Sequence, residues 1–277
     1  MNQDNLHLSK EWLLESDSIL ITAGAGMGVD SGLPDFRGDQ GLWKAYPALE
    51  RSKLSFTEIA NPEWFFKHPK LAWGFYGHRL ELYRRVTPHD GFSMLMSWAK
   101  RLDKPSTVFT SNVDGQFQRA GFPKNSVYEC HGSIHFLQCS LSCTKEIWPA
   151  DGFIPLIDLD QCLQINELPL CPHCGEVARP NILMFNDEHW LPGRSDAQEE
   201  HLQSWLQDVD TPLIIELGAG ATVASVRDFG EDVCSQWKAK LLRINLRESD
   251  VESKESMGIA LGALDALSRL DYLINTS

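Results

Sequence analysis

Four of the seven cysteines in this 277-residue chain form two close pairs, a pattern typical of a metal site. The pairs are Cys139-x3-Cys143 and Cys171-x2-Cys174, and the second belongs to the sequence CPHCG, whose Pro and Gly suit a tight metal knuckle. Four thiolates match the tetrahedral coordination of Zn²⁺, and a closed four-sulfur site leaves no position for a reacting water. The sequence therefore predicts one structural zinc ion. The alternative is a set of four unrelated reduced cysteines.

Two glycine turns, each following a short apolar run, predict a phosphate-binding site. Glycines let the backbone turn tightly and approach a phosphate, and a helix that begins behind them points its N–H groups at the anion. Either turn alone could be purely structural, but two together can hold both ends of a dinucleotide. The candidate cofactor-binding residues of the turns are Gly24, Ala25, Gly26, Gly218, Ala219 and Gly220.

His131 is the candidate general base of the chain. An imidazole can be tuned to titrate near neutral pH, and the following Gly132 leaves room for a ligand. The alternative is a structural histidine. The neighbouring Cys130 would point to the opposite face of a strand, which argues against a Cys–His nucleophile. We expect His135, four residues further on, to lie away from the site.

The elements that must position these residues alternate between apolar, β-branched strands and amphipathic helices. This alternation predicts an α/β fold with a Rossmann-type, doubly wound parallel sheet, whose ligand binds at the carboxyl ends of the strands. Polar residues follow the predicted strands at those ends, and Asn245 could hydrogen-bond a ribose hydroxyl. These candidates are Ser111, Asn112, Asp114 and Asn245.

Two insertions predict a smaller domain beside the sheet. Residues 39–85 are rich in aromatic side chains at helical spacing, and residues 139–180 contain the two cysteine pairs. We therefore expect a helical module and a zinc module to form the small domain. Residues 1–38, 86–138 and 181–277 would form the large, cofactor-binding domain.

The composition argues against several classes of protein. A net charge of −13 is unfavourable for a general nucleic-acid or anionic-membrane binder. No apolar run approaches the roughly 20 residues that span a bilayer, and the N-terminus lacks the pattern of a signal peptide. We expect a cytoplasmic protein, monomeric, with no nucleic-acid or membrane partner.

Several motifs, in this order along the chain, together resemble the sirtuin family of NAD-dependent protein-lysine deacylases, and the chain is similar to a divergent bacterial-type member. The motifs are Gly24-Ala25-Gly26, Ser31-Gly32-Leu33-Pro34-Asp35-Phe36-Arg37, Asn112-Val113-Asp114-Gly115, Gln118-Arg119-Ala120-Gly121, His131-Gly132-Ser133, the four cysteines and RPNILMF.

The resemblance implies that NAD, as co-substrate, lies between the two domains and that an acyl-lysine protein or peptide enters the same cleft. Asp35, Phe36 and Arg37 would lie at the cofactor, with Phe36 shielding the nicotinamide ribose and Arg37 holding the ribose and phosphates. Asn112 and Asp114 would line the nicotinamide pocket.

The implied reaction produces free lysine, nicotinamide and O-acyl-ADP-ribose. The amide oxygen of the acyl-lysine attacks the ribose carbon as nicotinamide leaves, and His131 then draws a proton from a ribose hydroxyl. Three alternatives remain open at this point. They are a protein ADP-ribosyltransferase, an NAD hydrolase and an inactive NAD-binding module.

The chain departs from the family pattern at several positions. Gly28 and Ser111 replace a usual serine and glutamine, and Gly218-Ala219-Gly220 replaces Gly-Thr-Ser. The first cysteine pair has three intervening residues instead of two. Phe185, a candidate substrate residue, begins Phe-Asn-Asp where the family has a peptide-binding Phe-Gly-Glu.

Tyr76 and Arg79 are candidate acyl-recognition residues. Helix positions i and i+3 share a face, and a guanidinium can bind a carboxylate while a phenol adds a hydrogen bond. The sequence FYGHR resembles the Tyr-x-x-Arg feature of sirtuins that remove succinyl, malonyl or glutaryl groups. The alternative is a core tyrosine beside a solvated arginine.

Overall fold

The computed structural model describes residues 2–34 and 38–276. The predicted cofactor residues Asp35, Phe36 and Arg37 lie outside the described residues. Within the described part of the chain, no helix is long and apolar enough to cross a membrane.

Eleven strands occur in the described residues. They are β1 (Ser18–Ala23), β2 (Ser106–Thr110), β3 (Val127–Glu129), β4 (Gly132–Cys139), β5 (Trp148–Pro149), β6 (Ile157–Asp158), β7 (Leu163–Gln164), β8 (Ala178–Ile182), β9 (Pro212–Leu217), β10 (Lys240–Ile244) and β11 (Ser256–Ile259).

Eleven α-helices accompany these strands in the same residues. They are α1 (Asn2–Glu15), α2 (Gly38–Ala45), α3 (Pro47–Arg51), α4 (Phe56–Ile59), α5 (Trp64–Lys67), α6 (Pro69–Arg85), α7 (Asp90–Arg101), α8 (Gln116–Arg119), α9 (Gly193–Gln207), α10 (Ser225–Gln236) and α11 (Ala263–Asn275). Two 3₁₀ segments, Ala25–Ser31 and Lys124–Ser126, complete the regular structure described.

A parallel six-stranded sheet forms the centre of the larger part of the molecule, as the strand–helix alternation predicts. Its strand order is β11-β10-β9-β1-β2-β3. Every residue of β1 and β9 is buried, because helices cover both faces of the sheet. On one face Trp12, Trp98 and Leu267 belong to the core, and on the other Leu202 and Val233 do.

One charged residue of β9 has a partner on the neighbouring strand. Glu216 is fully buried and lies opposite Arg243 of β10, whose Nε donates a 2.6 Å hydrogen bond to its Oε1. A second donation from Arg243 reaches Glu231 of α10 at 2.9 Å. Since an unpaired buried charge is costly, this network explains how a carboxylate can interrupt an otherwise apolar strand.

A second core combines helices α2 to α6 with an antiparallel sheet of order β5-β4-β8. Its centre includes Trp73 of α6, whose indole N–H donates to the carbonyl of Ala178 at 2.9 Å. The predicted domain boundaries stay a prediction. In the structure, β4 and β8 pack in the same core as the helical module, whereas most of β4 was expected in the large domain.

Candidate functional site

The two glycine turns lie against each other where β1 and β9 end side by side. The N–H of Gly26 donates to the carbonyl of Gly218 at 3.0 Å. Gly218 has a φ of +61°, and a Cβ there would lie 2.3 Å from the carbonyl carbon of Gly26, while one at Gly24 would lie 2.8 Å from Cα of Ala219. Only glycine allows this approach, and the two turns therefore form one cradle at the switch point of the sheet.

The predicted polar residues after β2 lie beside this cradle. Nδ2 of Asn112 donates to the carbonyl of Gly24 at 2.9 Å, and the half-buried Ser111 donates its backbone N–H to Ala23 at 3.3 Å. Asp114 is buried, and a Cβ at Gly28 would lie 3.7 Å from its Oδ2. The structure thus brings the first glycine turn and these polar side chains together.

Burial dominates the electrostatics of Asp114. Removal from water raises the pKa of this carboxyl to about 6, although the backbone N–H of Gln116 donates to its Oδ1 at 2.9 Å and opposes the rise. The charge of Glu129 also raises the pKa, while that of Arg79 lowers it. Asp114 is therefore mostly ionised at neutral pH but close to its titration.

His131 lies between β3 and β4, with its imidazole facing α10. Its Nε2 is 3.3 Å from Oγ of Ser225, the first residue of α10, and its carbonyl accepts a 3.0 Å hydrogen bond from Leu183. Burial lowers the pKa of His131, so the neutral, proton-accepting form dominates at pH 7. Sequence reasoning missed Ser225, and its place at a helix start behind the second glycine turn was the available signal.

Cys130 does not act as a nucleophile beside His131. Burial raises the pKa of its thiol to about 12, and its side chain packs against the core that contains Leu202 and Val233. Since the thiolate is the nucleophilic form, this burial disfavours a Cys–His pair. The two residues lie in the turn between β3 and β4, so the sequence argument from opposite faces of a strand does not apply.

The expectation that His135 would lie away from the site is wrong. Its Nε2 is 2.8 Å from the carbonyl oxygen of Asp114, and a Cβ on Gly115 would lie 2.8 Å from Cδ2 of its ring. The register of β4 against β8 shifts between Ser133 and Leu137, and such an irregularity redirects side chains. His135 therefore supports the main chain that carries Asp114.

Asn245 stabilises the second glycine turn from within the protein. It is 3% exposed, its Nδ2 donates to the carbonyl of Ala219 at 2.7 Å, and its Oδ1 accepts from the N–H groups of Arg247 and Glu248. Its predicted contact with a ribose hydroxyl stays a prediction. Arg227, which the sequence did not single out, also donates to Ala219, at 3.0 Å.

Tyr76 and Arg79 lie together on α6, as their spacing predicts. The guanidinium carbon of Arg79 is 5.8 Å from the ring centre of Tyr76, and the exposed fractions are 1% for Tyr76 and 8% for Arg79. The alternative of a solvated arginine does not agree with this burial. Their role in acyl recognition stays a prediction.

Phe185 is the first residue of the Phe-Asn-Asp turn, which an ion pair stabilises. It is 38% exposed, its N–H donates to Ala60 at 2.9 Å, and its ring lies edge-on to Phe56. Two residues later, Asp187 accepts hydrogen bonds of 2.7 and 2.8 Å from both terminal nitrogens of Arg179, and both side chains are fully buried. This ion pair holds the Phe-Asn-Asp turn in place.

The four predicted metal ligands converge. The sulfur atoms of Cys139, Cys143, Cys171 and Cys174 all lie within 4.8 Å of one another, with two Sγ–Sγ distances of 3.6 Å. A Zn–S bond of about 2.3 Å places tetrahedral sulfurs about 3.8 Å apart, whereas a disulfide needs about 2.05 Å. The donor set and the spacing therefore fit one zinc ion.

The CPHCG knuckle favours thiolate formation at its first cysteine. Burial alone would raise the pKa of the Cys171 thiol. Hydrogen bonds from the backbone N–H groups of Cys174 and His173 outweigh this effect, and the pKa falls to about 7. Gly175 closes the knuckle with a φ of +76° and donates to the carbonyl of Cys171 at 3.0 Å. The knuckle thus favours the metal-binding form of Cys171, while burial and the thiols of Cys139 and Cys171 raise the pKa of Cys174.

Comparison with known proteins decides the family. The sequence profile of the Sir2 family matches residues 24–225. An NAD-dependent protein deacylase of Aquifex aeolicus is 32% identical over 94% of this chain and 97% of its own length. The chain belongs to the Sir2 family. A further relative, an NAD-dependent protein deacylase of Thermus thermophilus, is 25% identical over 96% of the chain and 94% of its own length.

Solved Sir2 structures share the fold. A Sir2 homologue in complex with NAD superimposes with a TM-score of 0.72 over 97% of this chain and 93% of its own, at 24% identity. The six-stranded parallel sheet and the cysteine cluster agree with the α/β, Rossmann-type architecture and the zinc module that the sequence predicts.

Proposed function

We propose that this Sir2 protein is an NAD-dependent deacylase of protein lysine that produces nicotinamide and O-acyl-ADP-ribose. The observation that carries the proposal is the convergence of both glycine turns, Asn112, Asp114 and His131 at one edge of the sheet. The deacylase names of relatives that match nearly the whole chain support the same activity.

In the proposed reaction the cradle of the two glycine turns receives the pyrophosphate of NAD. Glycines at 24 and 218 let the two turns pack closely together, and a glycine-rich backbone can lie near a phosphate. Asn112 and the ionised Asp114 hold the nicotinamide carboxamide, since an amide and a carboxylate can accept its N–H groups. Exclusion of water from this pocket protects NAD from hydrolysis.

His131 acts as the general base on a ribose hydroxyl of the substrate. Burial keeps its imidazole neutral at physiological pH, so one nitrogen can accept the proton. Ser225, 3.3 Å from Nε2, orients the ring. Phe185 is the proposed contact for the acyl-lysine peptide, and its partly exposed ring offers an apolar surface at the cleft.

We also propose a preference for acyl groups that end in a carboxylate. Arg79 is a buried cation surrounded by the rings of Phe75, Tyr76 and Tyr83, each with its centre 5.2–5.8 Å from the guanidinium carbon. Burial keeps the phenol of Tyr76 protonated, with a pKa of about 12, so it can donate a hydrogen bond. A cation and a phenol donor together suit a succinyl or glutaryl terminus.

The experiment that tests the function is mass spectrometry of the purified protein with NAD and peptides of one sequence that carry acetyl-, succinyl-, glutaryl- or long-chain acyl-lysine. We expect O-acyl-ADP-ribose only when peptide is present, with succinyl or glutaryl peptides turned over fastest. Consumption of NAD without peptide would identify a hydrolase instead, and ADP-ribose attached to protein would identify a transferase.

A further inference from the structure

A third aromatic residue shares the face of α6 that carries Tyr76 and Arg79. Tyr83 follows Arg79 by four residues and Tyr76 by seven, which aligns the three side chains along one stripe of the helix. Its hydroxyl accepts a 3.0 Å hydrogen bond from Nε of Arg79, and the guanidinium carbon is 5.4 Å from its ring centre. Tyr83 thus contacts Arg79 through both its oxygen and its ring.

Burial makes this contact an orienting one. Tyr83 is 4% exposed and Arg79 is 8% exposed, so water does not compete for the Nε hydrogen. A guanidinium is planar, and a hydrogen bond at Nε restricts rotation of that plane at the end of a long side chain. Less conformational entropy is then lost when a ligand pairs with an already oriented group.

The Tyr83 side chain that orients Arg79 is also electrically neutral. Burial raises the pKa of Tyr83, so its phenol stays protonated around neutral pH. A carboxylate in the same position would place a negative charge beside Arg79, whereas a phenol orients the guanidinium without adding a charge. The charge of Arg79 lowers the pKa of Asp114, so this side of α6 lies near the candidate NAD site.

We propose that Tyr83 is a positioning residue that fixes the plane of the Arg79 guanidinium and thereby sets the preference of the enzyme for acyl groups ending in a carboxylate. This inference rests on the deacylase function and acyl preference proposed above. It adds a residue that need not touch the substrate.

The test compares wild type and Tyr83→Phe on succinyl- and acetyl-lysine peptides of one sequence. The substitution keeps the ring and removes only the hydroxyl. We expect the ratio of kcat/KM for succinyl over acetyl peptide to fall by about tenfold, mainly through KM for the succinyl peptide, because a hydrogen bond to a buried charged group is lost. KM for NAD should stay within about twofold of wild type, because the lost hydrogen bond joins two residues of α6 that are not proposed to bind NAD.

Tyr46→Phe is the matched control. Tyr46 is also buried against the helical module, and its hydroxyl is 2.9 Å from Nδ1 of His78, on another face of α6. Loss of this hydroxyl removes a buried hydrogen bond without touching the Arg79 Nε contact. We expect Tyr46→Phe to keep the wild-type succinyl-to-acetyl ratio.

A spectroscopic readout separates positioning from general destabilisation. In ¹H–¹⁵N spectra, the Nε–H signal of Arg79, assigned by its loss in Arg79→Lys, should be slow to exchange in wild type and in Tyr46→Phe. It should shift and exchange faster in Tyr83→Phe.

The possible outcomes distinguish this inference from the proposed function. A wild-type preference for succinyl peptides that survives in Tyr83→Phe overturns the role of Tyr83 and leaves the proposed function standing. A wild type that deacylates without preferring succinyl or glutaryl overturns both the acyl preference and the inference. An unchanged Arg79 signal in Tyr83→Phe also overturns the inference.

Discussion

At the scale of single residues, burial tunes the two groups with the clearest chemistry in opposite directions. It raises the pKa of Asp114 to about 6 and lowers that of His131, because a low-dielectric environment disfavours the charged form of each. At neutral pH the carboxylate is therefore mostly charged and the imidazole neutral. These are the states that the proposed pocket and the proposed base require.

Replacement of His131 with Ala should lower deacylation by about 10²–10⁴-fold, because a general base contributes a factor of this size. The lowered pKa of His131 also places the acid limb of the wild-type kcat/KM profile below pH 6.5. Steady-state kinetics against pH and calorimetric titration of NAD measure both effects. NAD affinity should be retained in the variant, and undiminished turnover would exclude His131 as the base.

Asp114→Asn should stabilise the protein at neutral pH while reducing activity. The folded pKa of about 6 exceeds the unfolded value of about 3.9, so the folded state holds a proton that the unfolded state has lost between these values. Wild-type stability therefore falls as pH rises from about 4 to 6, by about 1–3 kcal/mol from this group.

Thermal unfolding of wild type and Asp114→Asn at several pH values measures this linkage. The asparagine Oδ1 can still accept from the N–H of Gln116. We expect a higher Tm for the variant at pH 7.5 and a difference that disappears below about pH 3, where the carboxyl is protonated in both states. A variant that is less stable at every pH would contradict the burial argument.

At the scale of elements, short irregular segments rather than long helices determine the geometry of the site. The two glycine turns interlock because Gly24 and Gly218 place no Cβ at the contact, and the CPHCG knuckle bends through the positive φ of Gly175. The register shift in β4 turns His135 toward Asp114. Each of these features depends on local backbone conformations that few residue types adopt.

Removal of the metal should destabilise the small, cysteine-containing part of the molecule. Cys171→Ser takes away the buried thiolate of the knuckle, and we expect Tm to fall by about 10 °C, since a structural zinc site contributes several kcal/mol. Zinc content by elemental analysis and Tm by calorimetry, before and after chelation, measure the effect.

Cys234→Ala is the control for this experiment, because Cys234 is half-buried and lies outside the cluster. It should retain one zinc ion per chain and most of the wild-type Tm. If wild type and Cys171→Ser contain equal zinc and melt together, the four sulfurs do not form a structural zinc site.

At the scale of the whole molecule, the site lies where the two cores meet. Leu33, just after the first glycine turn, and Val113, beside Asp114, both pack in the second core although β1 and β2 belong to the parallel sheet. The N–H of Ile134 in β4 donates to the carbonyl of Val113 at 3.0 Å. The segments proposed to bind NAD are therefore held by the parallel sheet and by the second core.

The sequence by itself determined the α/β architecture and which residues are available for cofactor and metal binding. Alternating strands and helices predict the parallel sheet, and the glycine turns and cysteine spacing predict two sites, because these signals come from residues close together in the chain. The helical spacing of Tyr76 and Arg79 likewise predicts their shared face, which the structure has.

Only the tertiary structure decided how distant residues meet. The contact between His131 and Ser225 joins residues 94 positions apart, and the position of His135 beside Asp114 depends on a strand irregularity. Whether Arg79 is solvated or buried likewise depends on how α6 packs against the rest of the second core. Local sequence patterns carry no information on such long-range packing, which also determines the pKa values of Asp114 and His131 through burial.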